Sequence, residues 1–403
     1  MLLLLHQLQQ LQRRVLTNKL KFYGLGIGLR DEIQKDILSY LEASSKQTLI
    51  QWLEIIPENY INNGGLPRKR FEEVLAKGVP LIPHGVNLSI GSAPQNKKRL
   101  EFDFYLLRGL KELFEEIKAP WFSDHLVNSR IGSHYFQELI PVPFTKEAAE
   151  VVANNIKYLE DYFQIPFLFE NPSYYTNYGL RELREQTFIN LVLEKARCGF
   201  LLDINNVLVN SMNHKYLPKP FLDDLDLKKV VQVHLGGLKR GYTSKLTGHK
   251  IKALDSHGEA VSDVALDLFS YVIKKTKVKA VLLERDMNFS EEGFPGLIHE
   301  LKLIRKIMDS KYDSEEESEA EKTKLAANQT ESVVNTEPVA LETETNNRPA
   351  SPLIDNKAAN LNINPTSISS TNSIPAVTAA NDLTKNQLAN DLDSLNEELA
   401  DLG

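Results

Sequence analysis

Two short stretches, Phe167-Leu168-Phe169-Glu170 and Phe200-Leu201-Leu202-Asp203, decide the fold of this chain. Each is a continuous apolar run that ends in a carboxylate. Apolar runs of this length are typical of parallel strands that are buried on both faces. Four more runs have the same form and also end in a residue that can bind a metal: Leu81-Ile82-Pro83-His84, Trp121-Phe122-Ser123-Asp124-His125, Val230-Val231-Gln232-Val233-His234 and Ala280-Val281-Leu282-Leu283-Glu284.

Two further apolar runs precede these six, at Tyr23–Leu29 and Trp52–Ile56, and bring the number of predicted strands to eight. Helical patterns lie between the strands, for example over 31–41 and 106–117, and Thr145 is a candidate N-cap for a helix to Phe163. Alternation of strands and helices predicts an α/β fold, here a (β/α)8 TIM barrel over residues 21–309.

The two ends of the chain differ from the barrel in composition. Residues 1–20 carry leucines at helical spacing and are expected to form an extension. Residues 310–403 are acidic and then rich in Ser, Thr and Asn, so we expect a disordered tail. Leucines at steps of four and three predict a short helix over 383–402. Docking to a partner, self-association and a transient helix without a role all remain open for it.

Composition narrows the function classes. The 403 residues carry a net charge of −7, which disfavours a nucleic-acid binder because such proteins present basic surfaces. No apolar run is long enough to span a membrane, and the cytoplasm is the expected location. The single cysteine, Cys198, excludes an internal disulfide, and its apolar surroundings favour a buried structural thiol over a nucleophile.

The metal-binding residues at the strand ends are expected to converge, because active sites of TIM barrels lie at the carboxyl ends of the strands. The loop after the seventh strand adds Asp255 and His257, and Asn205 offers an amide oxygen. Four imidazoles and four carboxylates are too many for one ion. They suit two or three ions, with Glu170 on a central strand as the natural bridge. Nitrogen and oxygen ligands without thiolate favour iron, manganese or zinc.

Some other polar residues are candidates for supporting roles. Glu54 and Asp124 could anchor a ligand. Asp286 is the candidate catalytic residue and could act as a ligand, a base or a supporting group. The glycines at 24, 26 and 28 lack the spacing of a dinucleotide-binding loop, so tight packing or approach to a ligand is the better explanation for them.

The ordered motifs of this chain resemble the multinuclear non-haem iron-dependent oxidative enzymes. The resemblance runs from Gly24 to Met308 and is carried by these segments: Pro83–Gly91, Ser123–Leu126, Pro141–Thr145, Glu170–Ser173, Leu202–Asn206, His234–Gly237, Asp255–His257 and Glu284–Asp286. It implies a TIM barrel with two or three irons that uses O2 to modify cysteine residues of a ribosomally made peptide. A small partner protein usually presents that peptide.

The resemblance also implies a distribution of ligands over three ions. His84, His125 and Glu170 would hold the first, and Asp203, His234 and Glu284 the second. Asp255, His257 and Asn205 would hold the third.

The chain departs from the family pattern at two positions. Leu238 replaces a frequent histidine, and Arg285 replaces a frequent tryptophan and could place a charge beside the site. Two other function classes stay open: a metal-dependent isomerase or hydrolase acting on sugars or phosphoesters, and a non-catalytic scaffold that binds through the leucines of the tail.

Overall fold

A computed structural model describes residues 20–44, 48–61, 64–93, 102–131, 134–176, 182–243, 250–289 and 293–311. Its strands, numbered in chain order, are β1 (Gly24–Gly28), β2 (Trp52–Ile55), β3 (Leu81–Gly85), β4 (Phe122–His125), β5 (Val127–Ile131), β6 (His134–Pro141), β7 (Phe167–Glu170), β8 (Gly199–Asp203), β9 (Val230–Leu235), β10 (Leu238–Arg240), β11 (Ala253–Asp255) and β12 (Ala280–Leu283).

Eight of these strands close into one parallel barrel in the order β1-β12-β9-β8-β7-β4-β3-β2. The predicted α/β TIM barrel is therefore confirmed, and the eight predicted apolar runs are its strands. The helices are α1 (Gln34–Ala43), α2 (Gly65–Leu75), α3 (Phe104–Ile117), α4 (Lys146–Phe163), α5 (Glu185–Ala196), α6 (Ile204–His214), α7 (Pro218–Asp223), α8 (Asp263–Ile273) and a last helix, α9, over 293–311.

Strand alternation separates two apolar regions. Outward-facing residues such as Phe169, Phe200 and Val281 pack beneath the helices in the larger core. Inward-facing residues of the same strands, among them Leu168 and Leu201, fill the barrel with a smaller cluster. The next inward positions toward the carboxyl ends are the polar residues of the predicted site. The inward-facing residues of each strand therefore contribute first to the inner core and then to the site.

Local sequence explains where individual helices begin. Thr145 accepts a hydrogen bond from the Ala148 amide and caps α4, as predicted. The first helix begins at Gln34 rather than at residue 31. Gly26 is required by packing, because a Cβ there would lie 2.4 Å from the Trp52 indole.

Two antiparallel hairpins interrupt the barrel repeat and were not predicted. β5 pairs with β6 in the connection from β4 to α4, and β10 pairs with β11 in the connection from β9 to α8. Residues 1–19 and the tail from 312 onward, with its predicted helix over 383–402, lie outside the described residues. Among the described helices, none is long and apolar enough to cross a membrane.

Candidate metal centre

The residues predicted at the six strand ends meet at the carboxyl rim of the barrel. Five of them are buried, and His125 is partly buried. They form, with the side chains of the β11 loop, what we call the rim cluster: His84, His125, Glu170, Asp203, His234, Asp255, His257 and Glu284.

The first ligand set lies between β3, β4 and β7. Oε2 of Glu170 lies 3.0 Å from Nε2 of His84 and 3.5 Å from Nε2 of His125. The other ring nitrogen of His84, Nδ1, lies 2.9 Å from the Ser123 hydroxyl, which is positioned to donate to the Pro83 carbonyl. His84 therefore directs Nε2 toward Glu170.

Glu170 also belongs to a second set, with Asp203 and His234. Its other oxygen, Oε1, lies 3.9 Å from Nδ1 of His234 and accepts a hydrogen bond from Asn206. One carboxylate thus faces two groups of ligands through its two oxygens. This is the arrangement that a bridging ligand requires.

Glu54 fixes the orientation of His234 from inside the barrel. Oε2 of Glu54 lies 3.0 Å from Nε2 of His234 and accepts from the Gln232 amide at 2.8 Å. Nδ1 of His234 then faces Glu284 at 3.3 Å. A carboxylate behind a histidine is a common way to orient a ligand imidazole and raise its basicity.

The β11 loop brings His257 to the rim. Nε2 of His257 lies 2.8 Å from Oδ1 of Asp255, which accepts a hydrogen bond from Nδ2 of Asn205. Asp255, His257 and Asn205 therefore lie together, as the resemblance implies. The carboxylates that can share a cation with His257 are, however, those of Asp203 and Glu284.

Asp286 lies behind His257 rather than among the facing ligand atoms. Its Oδ2 is 3.0 Å from Nδ1 of His257, and its Oδ1 is 2.6 Å from Nε of Arg30. His257 has a left-handed backbone with φ of 48°, which is unfavourable for a residue other than glycine. The contact with Asp286 fixes the direction of the imidazole that this backbone carries.

The residues present fit a metal ion. Among the described residues, seven buried atoms of the candidate ligands face the other rim residues without a hydrogen bond of normal geometry: His84 Nε2, Glu170 Oε2, Asp203 Oδ2, Asn205 Oδ1, His234 Nδ1, His257 Nε2 and Glu284 Oε2. Buried polar atoms without partners are costly and rare. A bound cation would satisfy them, so these clusters could hold metal ions.

Charge coupling within the cluster shifts several pKa values. Burial alone would lower the pKa of His125, but Glu170 and Asp124 outweigh it and raise that pKa to about 9. Burial and the nearby carboxylates Glu170 and Asp255 raise the pKa of Asp203 well above its usual value. The cluster is thus rich in negative charge that needs protons or cations to balance it.

Sequence reasoning missed several supporting residues. Ser123, Asn206, Gln232 and Arg30 were not singled out, although Ser123 and Gln232 occupy inward positions two residues before His125 and His234. The spacing of two residues from a predicted ligand on the same strand could have identified Ser123 and Gln232 from the sequence. Of the residues that were singled out, Asp124 accepts hydrogen bonds from the amides of Leu88 and His125.

Arg285 does not place its charge beside the site. It follows Glu284 and points to the opposite side of the strand, where its guanidinium pairs with Glu300 at 2.5 Å. Leu238 lies in β10, opposite Asp255 in the hairpin register. Both departures from the family pattern therefore affect the loop that carries Asp255 and His257.

Comparison with known proteins finds relatives whose similarity covers the barrel part of the chain. The chain is 34% identical over 285 residues to a UPF0276 protein of Pasteurella multocida, which covers 66% of this chain and 89% of that protein. A UPF0276 protein of Haemophilus influenzae is 33% identical over 290 residues, or 67% of this chain and 90% of that protein.

A xylose isomerase-like TIM barrel protein from Mycobacterium smegmatis, solved in complex with magnesium, superposes with a TM-score of 0.44 at 10% identity, over 72% of this chain and 97% of that one. Residues 24–309 match the family model described as RiPP precursor modification enzyme MbnB/TglH/ChrH, that is, enzymes acting on ribosomally made precursor peptides. The chain belongs to this family of peptide modification enzymes, in which it joins the UPF0276 proteins.

Proposed function

We propose that this protein is a multinuclear iron enzyme that uses O2 to modify cysteine residues of a ribosomally made peptide. The observation that carries the proposal is the convergence of seven buried nitrogen and oxygen atoms, none with a hydrogen bond of normal geometry, on Glu170 and its neighbours. Nitrogen and oxygen donors without thiolate suit iron, with manganese or zinc as alternatives.

The geometry supports a division of ligands among two or three ions. His84, His125 and Glu170 would hold one ion, and Glu170, Asp203 and His234 a second. His257 would bind a third with Asp203 and Glu284, and Asn205 and Asp255 lie beside it. Bound iron would supply the reduction of O2 and a coordination position for a substrate thiolate.

Neighbouring side chains orient the candidate ligands and interact with their charges. Arg30 and Asp286 orient His257, and Glu54 orients His234. Because Asp286 is partly exposed and contacts Nδ1 of His257, it could exchange a proton between His257 and solvent.

The reacting thiol has to come from the substrate. Cys198 directly precedes β8, whereas Asp203 ends that strand at the rim. The Cys198 side chain is buried, and burial raises the pKa of its thiol well above the usual value. Among the described residues, no cysteine lies near the ligand sets.

A polypeptide substrate fits the surface around the rim. Of the eleven exposed large hydrophobic side chains in the described part of the chain, nine lie in the connections or first helical turns that follow barrel strands. They are Leu66, Phe104, Tyr105, Tyr135, Phe136, Leu139, Tyr175, Tyr242 and Met287. Their position on the rim side of the barrel supports a binding face there for the precursor peptide and for a small protein that presents it.

The test is O2 consumption by protein purified and loaded with Fe²⁺ without air. We expect uptake to need iron, O2 and a Cys-containing precursor peptide encoded beside the gene. Changing the peptide's cysteine to serine should abolish uptake, and Cys198→Ser in the enzyme should leave it unchanged. The reverse pattern would overturn the proposal.

The same samples separate the alternatives. A metal-dependent isomerase or hydrolase would turn over sugars or phosphoesters without O2. A scaffold would bind its partner equally well after loss of His84 and His234.

A further inference from the structure

A line of bonded side chains runs from the metal centre into the barrel. Nε1 of Trp121 donates to Oε1 of Gln232 at 2.8 Å, which fixes the amide so that its Nε2 donates to Glu54. The same oxygen of Glu54 contacts Nε2 of His234 at 3.0 Å. All four side chains are at most 1% exposed, so the line is shielded from water along its whole length.

The line continues to the other end of the barrel through aromatic contact. The rings of Trp121 and Tyr23 meet edge to face, with centroids 5.2 Å apart. Tyr23 directly precedes β1 at the amino end of the barrel and is partly exposed to solvent. The side chains therefore connect His234, a candidate ligand, with solvent on the side away from the peptide-binding rim.

We propose that Trp121 and Tyr23 form a one-electron relay that carries oxidising equivalents away from the metal centre when O2 reacts in the absence of peptide. The inference rests on the proposed function. Indole and phenol are, besides thiols, the side chains most readily oxidised by one electron. The one cysteine of the chain, Cys198, packs in the outer core, whereas Trp121 and Tyr23 belong to the cluster inside the barrel.

The transfer balances in simple steps. Trp121 gives one electron to the oxidised centre and becomes an indole radical cation, which keeps its Nε1 proton in the hydrogen bond to Gln232. Tyr23 then gives one electron to Trp121, which is restored, while the phenolic proton of Tyr23 passes to water. A soluble thiol or ascorbate reduces the resulting phenoxyl radical by donating a hydrogen atom. The net result is that the excess oxidising equivalent leaves the protein without damage to the rim ligands.

The chain supplies its own control, because it contains only two tryptophans. Trp52 belongs to the same inner cluster, but its Nε1 donates to the backbone carbonyl of Gly24 at 3.1 Å. Trp52 therefore has no hydrogen bond toward His234. A merely structural role for an inner tryptophan would apply to both residues, whereas the relay requires Trp121 alone.

The first experiment does not depend on iron. In full-length metal-free protein, a near-ultraviolet pulse with an electron scavenger creates indole radical cations, and time-resolved absorption follows their conversion into phenoxyl radicals. We expect conversion in the wild type and in Trp52→Phe, and its loss in Trp121→Phe and Tyr23→Phe. Because Tyr23→Phe keeps the ring, it guards against a folding defect. Equal conversion in wild type and Tyr23→Phe would overturn the relay.

The second experiment uses iron-loaded protein exposed to O2 without peptide. Freeze-quenched samples should show a phenoxyl electron paramagnetic resonance signal that Tyr23→Phe abolishes, and mass spectrometry should find oxidised Trp121 accumulating in that variant in excess of oxidised Trp52. A phenoxyl signal that Trp121→Phe and Tyr23→Phe leave unchanged would overturn the relay. If the iron-loaded wild type takes up no O2 in any condition, the proposed function fails, and the first experiment alone decides the relay.

Discussion

Single residues determine which atoms of the rim cluster are available to a cation. Three of its four imidazoles have one ring nitrogen held by a protein side chain, so that the other nitrogen faces a carboxylate of the cluster. The pairs are His84 with Ser123, His234 with Glu54, and His257 with Asp286. Holding the non-ligating nitrogen sets both the tautomer and the ring direction.

Protonation of His125 predicts that a rise in pH has opposite effects on the stability of the metal-free protein and on the binding of a metal. Its pKa in the folded chain is about 9, above the ordinary 6.5, because Glu170 and Asp124 outweigh burial. Protonated His125 therefore stabilises the metal-free protein fully below pH 6.5, and this contribution is lost as the pH rises through 9. A metal must displace that proton, so metal binding strengthens over the same range.

Thermal unfolding of metal-free and Mn²⁺-loaded protein checks this. The difference between their unfolding midpoints should grow between pH 6.5 and pH 9. His125→Gln removes one titrating group and should weaken the dependence, while His234 and His257, whose pKa values are also raised, keep a part of it. A difference that does not change with pH in the wild type would contradict the assignment.

Six of the rim residues could be predicted from sequence because each ends an apolar run and the strand ends of a barrel meet. The partners of those residues could not. Whether His257 faces Asp255, Asp203 or Glu284 depends on the left-handed backbone at His257 and on its contact with Asp286. Neither is encoded in a local pattern.

At the scale of elements, a buried ion pair holds the β11 loop, which carries the candidate ligand His257. The guanidinium of Arg285 pairs with Glu300 of α9 and donates to the Gly258 carbonyl at 3.2 Å. The second oxygen of Glu300 accepts from the Val261 amide. One buried ion pair thus joins the end of β12, the last helix and the loop that carries His257.

Arg285→Met should therefore weaken the His257 position as well as the fold. Leaving Glu300 buried without its partner costs about 3–5 kcal/mol. We expect loss of the ion bound by His257 and retention of the ion bound by His84 and His125. Arg184→Met is the matched control, because its pair with Asp224 is exposed and such pairs contribute at most about 1 kcal/mol. Denaturant unfolding and metal analysis measure both effects, and equal metal content in the two variants would contradict this role of the ion pair.

The eight barrel strands were predictable because burial on both faces gives each strand an unbroken apolar run. The hairpins were not. β6 has exposed residues such as Tyr135 and Phe136, and β10 has only three residues, with Lys239 and Arg240 exposed. Such strands leave no apolar pattern, because they lie on the surface above the barrel.

At the scale of the molecule, the last helix belongs to the barrel. Leu297, Leu301, Ile304 and Met308 pack in the outer core, and the Lys311 ammonium donates to the Thr276 carbonyl at 2.6 Å. The predicted domain limit at residue 309 thus falls two residues before the end of the described helix.

Truncation on either side of this helix should give opposite results. A chain ending at Lys311 should keep its unfolding midpoint and metal content, since the sequence predicts no apolar core beyond it. A chain ending at Phe289 exposes the sites of four buried side chains worth about 1.5–3 kcal/mol each. Their sum is comparable to a typical domain stability of about 5–15 kcal/mol, so it should not fold. Circular dichroism melts check both, and a destabilised chain ending at Lys311 would contradict the boundary.

The number of metal ions per chain in protein purified without oxygen tests the central claim most directly, since that claim is a multinuclear centre shared through Glu170. Elemental analysis should find two or three iron ions in the wild type. Glu170→Gln should lose more than one ion, and His257→Ala about one, because Glu170 belongs to two ligand sets and His257 to one. Glu160→Gln, a buried glutamate of α4, should lose none. A wild type with at most one ion, or equal losses in Glu170→Gln and His257→Ala, would contradict the account.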